Sequence, residues 1–132
     1  VKKAGTFGKM ILDECGGLMY LGKYITGEAG KKFSMAGLFN FATSIKARKL
    51  TLGYRKLTNT SSKNKNPVLF GHEFHYSTFT VNNERTQWTD CHSKKAVVLK
   101  DGYRIKNCHS FYTHIYWASN KNWLNYLTKA TL

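Results

Sequence analysis

The stretch "LDECGGLMYL", Leu12 to Leu21, sets a thiol between an acidic pair and two glycines. The apolar residues ahead of it make Met10 to Asp13 a short buried strand. Behind it, "GGLMYLGKYI" places Leu18, Met19, Leu21, Tyr24 and Ile25 close to helical spacing. Strand, sharp corner and helix are the geometry of a nucleophile elbow, which needs small residues where the helix packs back; Gly16 and Gly17 meet that need. A helix N-terminus aims backbone N–H groups and partial positive charge at the sulfur, which predicts a lowered thiol pKa at Cys15. The plainer alternative is an ordinary buried cysteine at a strand end.

Outward from this corner, Gly27 and Gly30 are expected to close the helix. From Phe33 to Leu57 the chain is rich in β-branched and aromatic residues, which predicts two or three strands. Thr58 to Pro67 is polar and reads as an exposed loop. "VLFGHEFHYSTFTV", Val68 to Val81, reads as strands around a turn at Gly71, and Asn82 to Lys95 as loop. "AVVLKDGYRIKN", Ala96 to Asn107, suggests a hairpin turning at Asp101-Gly102. "SFYTHIYWAS" then leads to a last helix from Asn120, capped by Ser119 or Asn120. Strands thus come from Met10–Asp13, Phe33–Leu57, Val68–Val81 and Ala96–Trp117.

A chain of 132 residues with 42% hydrophobic residues has the makings of one globular domain or part of one. No internal repeat or linker divides it. No apolar run approaches the roughly 20 residues of a membrane span, so no membrane partner is expected. The start, "VKKAGTFGKMIL", has no signal-peptide core. The chain starts without methionine and runs almost directly into a strand, which suggests a piece of something larger. Three cysteines without a secretion signal point to a reducing compartment, hence the cytoplasm. A formal charge of +14 suits a polyanion partner, but the lysines are scattered and equally suit a solvated surface. A basic nucleic-acid-binding module is therefore a rival reading, with salt-sensitive, nonspecific binding as its signature. No glycine-rich phosphate loop is present.

A cysteine nucleophile works with a histidine that moves its proton. The candidates are His72, His75, His92, His109 and His114. His114, in "FYTHIYW", lies between a strand and a helix, where catalytic side chains of open α/β sheets sit, although a histidine in an apolar stretch also reads as core. In "GHEFHYS", period-two alternation puts His72 and Phe74 on one face and Glu73 and His75 on the other. Cys91-His92 and Cys108-His109 offer thiol and imidazole for zinc, but adjacent residues are not the spacing of common zinc sites.

Five ordered motifs, "ECGGLMYLG", "AGLF", "LGYRKL", "GHEFHYS" and "FYTHIYWAS", resemble the C-terminal part of the cobyrinic acid a,c-diamide synthase family over nearly the whole chain. The resemblance implies a three-layer α/β/α, flavodoxin-like class I glutamine amidotransferase domain, of which this is the C-terminal portion. It implies a cysteine thioester that releases ammonia from glutamine for the a and c acetates of a corrin-type tetrapyrrole. ATP and Mg2+ would serve a separate N-terminal synthetase domain, and this chain would carry no cofactor. By the same resemblance Cys15 is the nucleophile, His114 raises its nucleophilicity, and the Gly16 N–H is an oxyanion donor. His72, Glu73, His75, Tyr76 and Ser77 would border the glutamine pocket. The upstream half of the same domain, with a second oxyanion donor, would be a partner. Two positions depart from the family pattern. Asp13 stands where a small residue is usual, and Tyr116 stands where a second histidine is usual, with no third triad member in view. A remnant that keeps the fold without the reaction is thus a further reading.

Overall fold

The computed structural model describes residues 1–59, 68–90 and 99–129. A short helix α1 (Lys2–Thr6) leads into strand β1 (Ile11–Glu14), and Cys15 turns the chain into helix α2 (Gly16–Leu21). Strands β2 (Tyr24–Thr26), β3 (Lys32–Ser34), β4 (Phe41–Ser44), β5 (Thr51–Asn59), β6 (Val68–His75), β7 (Thr78–Asn82), β8 (Thr86–Asp90), β9 (Leu99–Ile105), β10 (Cys108–Phe111) and β11 (His114–Ile115) follow. A 3-10 turn, Trp117–Ser119, precedes helix α3 (Lys121–Lys129).

The fold is α/β, and the described residues form two sheets. The larger has the order β1-β10-β9-β8-β5-β6-β11, the smaller β3-β2-β4-β7. Pairing is parallel between β1 and β10 and between β2 and β4, and antiparallel elsewhere. Alternation along β10 gives the large sheet two cores. Cys108 joins Leu18, Leu21, Phe39, Phe41, Tyr103 and Tyr112 under α2. Phe111 joins Leu57, Leu69, Ile115 and Trp123 under α3. Asn120 caps α3, its Oδ1 accepting the Trp123 N–H at 3.0 Å while its amide donates to the Val68 carbonyl. Of the two caps expected, Asn120 is the one used.

Five local expectations are corrected. Helix α2 stops at Leu21, because the following segment takes its last carbonyls: Ala36 N–H donates to Tyr20, and Leu38 and Phe39 N–H to Leu21. Tyr24 and Ile25 therefore belong to a strand. Second, β6 runs straight through Gly71, and the bend comes at Tyr76 and Ser77. Gly71 is needed for another reason: a Cβ there would lie 2.3 Å from the His114 carbonyl oxygen, so its lack of a side chain is what lets β11 dock on β6. Third, Thr86–Asp90 is a strand rather than loop. Fourth, Asp101 and Gly102 sit inside β9, and the β9–β10 turn is at Lys106 and Asn107, with Lys106 at φ 52°. Asp101 is buried and its carboxylate accepts three backbone N–H groups, from Gly102 (2.8 Å), Tyr112 (2.9 Å) and Thr113 (3.0 Å). That Asp-Gly pair is a clamp on the chain just ahead of His114, not a turn. Of the stretch Thr58 to Pro67 expected as loop, Thr58 and Asn59 instead belong to β5, and positions 60 to 67 lie outside the described residues.

Candidate functional site

Cys15 stands at φ 48°, ψ −103°, a backbone region that a side chain with a Cβ seldom occupies. Two hydrogen bonds hold it there. Its N–H donates to the Phe111 carbonyl at 2.8 Å, extending the β1–β10 ladder, and its carbonyl accepts the Met19 N–H that opens α2. The strand–thiol–helix corner expected from the sequence is thus present, and its strain turns Sγ outward into a cleft.

The cleft has a volume of about 520 Å³. Cys15 and Met19 line it, with Phe74, His75, Tyr76 and Ser77 as a wall from one stretch of chain. Glu28, Ile45 and Arg48 complete the lining. Sγ lies 4.0 Å from the Phe74 carbonyl. Arg48 and Glu28 form an exposed ion pair, and Arg48 itself has φ 43°. Nothing in the sequence reading singled out these two. They come from separate loops, and only the fold brings them into one cleft with the thiol.

The wall is tightly braced. Glu73 is buried and pairs with Arg55, whose Nε donates at 2.8 Å and whose Nη2 also contacts the carboxylate. His75 Nε2 lies 3.7 Å from Glu73, and its ring stacks on Tyr112 at 4.2 Å. Its Nδ1 is 3.0 Å from the Ser77 carbonyl, which can only accept, so Nδ1 carries a proton. Ser77 in turn donates to Tyr112 Oη. Burial by itself would raise the Glu73 carboxyl, but His75 and Arg55 outweigh it and hold it below its ordinary value. Tyr112, mainly through burial, is pushed up to about 12.

His114 does not line the cleft. It lies on β11, paired with His72 of β6, and the two imidazoles stack at 5.1 Å. The edges of the large sheet nevertheless meet beside the thiol: Glu14 Oε1 accepts the Ile115 N–H at 3.1 Å, and Glu14 Oε2 lies 3.7 Å from His114 Nδ1. Of the expected pocket residues, His75, Tyr76 and Ser77 line the cleft with Cys15, Glu73 braces His75 from behind, and His72 lies on the His114 side. Glu73 and His75 do share a face of β6, as alternation requires, with His72 and Phe74 exposed on the other.

The thiol departs from expectation. Burial raises the Cys15 pKa above its ordinary value, the Gly16 N–H draws it back, and the Glu14 and Glu73 charges push it further up. The helix terminus acts in the expected direction through Gly16, but it does not prevail. Of the two carboxylates directly before Cys15, the one that acts on the sulfur is Glu14 rather than Asp13. Asp13 projects to the other face of β1, against Gly17 and toward Cys108. A Cβ on Gly17 would fall 2.6 Å from Asp13 Oδ1. Gly17→Ala is therefore expected to destabilise the chain by about 1–3 kcal/mol through overpacking. The same change in an Asp13→Ala background should cost far less, and a double-mutant cycle by urea denaturation checks it.

Cys108 and His109 cannot share a metal, since adjacent β10 residues face opposite sides. Cys108 is in the core, where burial pushes its thiol up to about 12, and His109 packs on Trp123, with burial lowering it to about 4. Cys91 and His92 lie outside the described residues. Among the described residues no group of three metal-ligating side chains occurs, and no helix is long and apolar enough to cross a membrane.

A thiol on a strained strand-to-helix corner, over a cleft walled by an ion pair, places the chain among amidotransferase-type α/β domains. It belongs to the CobB/CobQ-like glutamine amidotransferase domain family, whose profile matches residues 1–122. Among its relatives, cobyrinate a,c-diamide synthase of Saccharolobus solfataricus is 36% identical over 90% of this chain and 28% of that protein. The enzyme of the same name from Sulfurisphaera tokodaii is 38% identical over 96% of this chain and 29% of its own length. Hydrogenobyrinate a,c-diamide synthase of Rhodobacter capsulatus is 37% identical over 67% of this chain and 21% of its own. The chain thus spans less than a third of these relatives.

Proposed function

We propose that the chain is the glutamine-hydrolysing part of an ATP-dependent a,c-diamide synthase acting on a corrin-type tetrapyrrole. The observation that carries the reading is Cys15 on its strained corner, facing a cleft that offers both charges of an amino-acid zwitterion. Arg48 suits the α-carboxylate and Glu28 the α-ammonium of glutamine, which would separate their mutual ion pair on entry. The side-chain amide then extends toward Sγ. His114 takes the thiol proton, sulfur attacks the amide carbon, and the Gly16 N–H faces the developing oxyanion. The imidazolium returns its proton to the leaving nitrogen, ammonia departs, and water hydrolyses the thioester.

His114 suits the base role better than His75. His75 has Nδ1 committed to the Ser77 carbonyl and its ring pressed on Tyr112, whereas His114 is 39% exposed and has its Nδ1 toward a carboxylate. The synthetase chemistry, with ATP and Mg2+, belongs to a further domain of the kind the longer relatives have room for. The test is labelling by the diazo-ketone analogue of glutamine. Mass spectrometry should find the adduct on Cys15, and free glutamine should protect it. Arg48→Ala should raise the concentration needed for half-maximal labelling by about 10- to 100-fold, with little change in the limiting rate, as loss of a charged ground-state contact does. An adduct on another residue, or none, overturns the reading.

A further inference from the structure

We propose that Glu14, the residue directly before the nucleophile, is the positioning carboxylate of the Cys15–His114 pair, for which the sequence by itself shows no third member. This rests on the glutaminase reading above. The observations are geometric. Glu14 reaches across from β1 to β11 and is fixed at one oxygen by the Ile115 N–H, 3.1 Å away. Its other oxygen faces His114 Nδ1 at 3.7 Å, a gap that a small side-chain rotation closes. The His72 ring covers one face of His114, which restricts its tilt. Gly71 allows the close approach that sets His114 at this height on β6. Backbone and ring contacts thus fix both partners before any substrate arrives.

The consequence is a choice of tautomer. A carboxylate can only accept, so the neutral imidazole keeps its proton on Nδ1 and presents the Nε2 lone pair. When the Cys15 S–H bond breaks, its proton passes to Nε2 and the electron pair stays on sulfur. The resulting imidazolium lies between two anions, the thiolate and Glu14. Alone, the Glu14 charge opposes thiolate formation. With a proton on His114 between them, it stabilises the product of the transfer.

Glu14→Gln separates this role from a merely structural one. Its Oε1 can still accept the Ile115 N–H, while its amide nitrogen turns a donor toward Nδ1. Long-range proton–nitrogen NMR on the chain at about pH 8.5, where an imidazole is neutral, should show His114 protonated at Nδ1. In Glu14→Gln the proton should move to Nε2, and Cys15 labelling by the diazo-ketone analogue should slow by on the order of 10²- to 10⁴-fold, as expected for a base in the wrong tautomer. Half-saturation by the analogue should stay nearly constant. A wild-type His114 protonated at Nε2 overturns the proposal without any variant, and so does a tautomer switch that leaves the labelling rate unchanged. A chain with the Nδ1 tautomer that the analogue never labels at Cys15 counts against the glutaminase reading, while leaving the Glu14–His114 pairing standing.

Discussion

Cys15→Ser is expected to lower glutamine hydrolysis by roughly 10⁴-fold or more in an enzyme carrying this domain, since removal of a nucleophile leaves only binding and oxyanion contacts. Amidation driven by added ammonia should persist, because free ammonia bypasses the thioester. Glutamate release and amide formation, measured side by side, separate the two. The variant should fold: serine is nearly isosteric, and the strained backbone at this position is held by main-chain bonds to Phe111 and Met19 rather than by sulfur. Retention of glutamate release would remove Cys15 from the mechanism. Retention of neither activity would mean that the substitution damages the structure. Cys108→Ser is the matched control for glutamine hydrolysis, because that thiol lies in the core under α2 and away from the cleft.

The largest stability effect is expected at the wall of the cleft. Arg55→Met leaves Glu73 buried without its guanidinium, and breaking a buried pair in this way costs about 3–5 kcal/mol at neutral pH. The pH dependence should also weaken. In the parent chain the folded Glu73 carboxyl lies below its unfolded value. Its contribution is therefore present above about pH 4.3 and is lost as pH falls through the lower folded value. With Arg55 gone, His75 is left to oppose burial without the guanidinium, so the folded value rises. The stability that the ionised carboxylate contributes at neutral pH shrinks with it. Urea denaturation at several pH values between neutrality and about pH 4 checks this: the fall in stability toward acid should be smaller in the variant than in the parent. Parallel curves would mean that Glu73 is hydrated and that the pair is a surface feature. Because the same carboxylate braces His75, the variant should also loosen the Phe74–Ser77 wall and slow Cys15 labelling.

Local sequence determined the elbow. A strand-forming run, a cysteine and two glycines need only neighbours to define a corner, and β1, Cys15 and the start of α2 lie within a residue of their expected positions. Alternation in "GHEFHYS" likewise separated Glu73 and His75 from His72 and Phe74, since strand faces are fixed by a period of two. The ordered motifs carried the family, because they sample the whole chain rather than one corner.

Tertiary structure decided what those rules cannot reach. Asp101-Gly102 looks like a turn locally, yet three backbone donors, two of them from eleven and twelve residues away, make it a buried clamp within a strand. The end of α2 is set by residues 36 to 39, which arrive from the next loop to satisfy its carbonyls. The two carboxylates before Cys15 are indistinguishable by spacing. Their roles diverge because successive side chains on β1 point to opposite faces, which sends Asp13 under α2 and Glu14 to the histidine strand. Arg48 and Glu28 enter the cleft only through loop packing. The strained thiol corner was thus written into a decapeptide, but its charge environment was not, because electrostatic partners are chosen by distance in space rather than by separation along the chain.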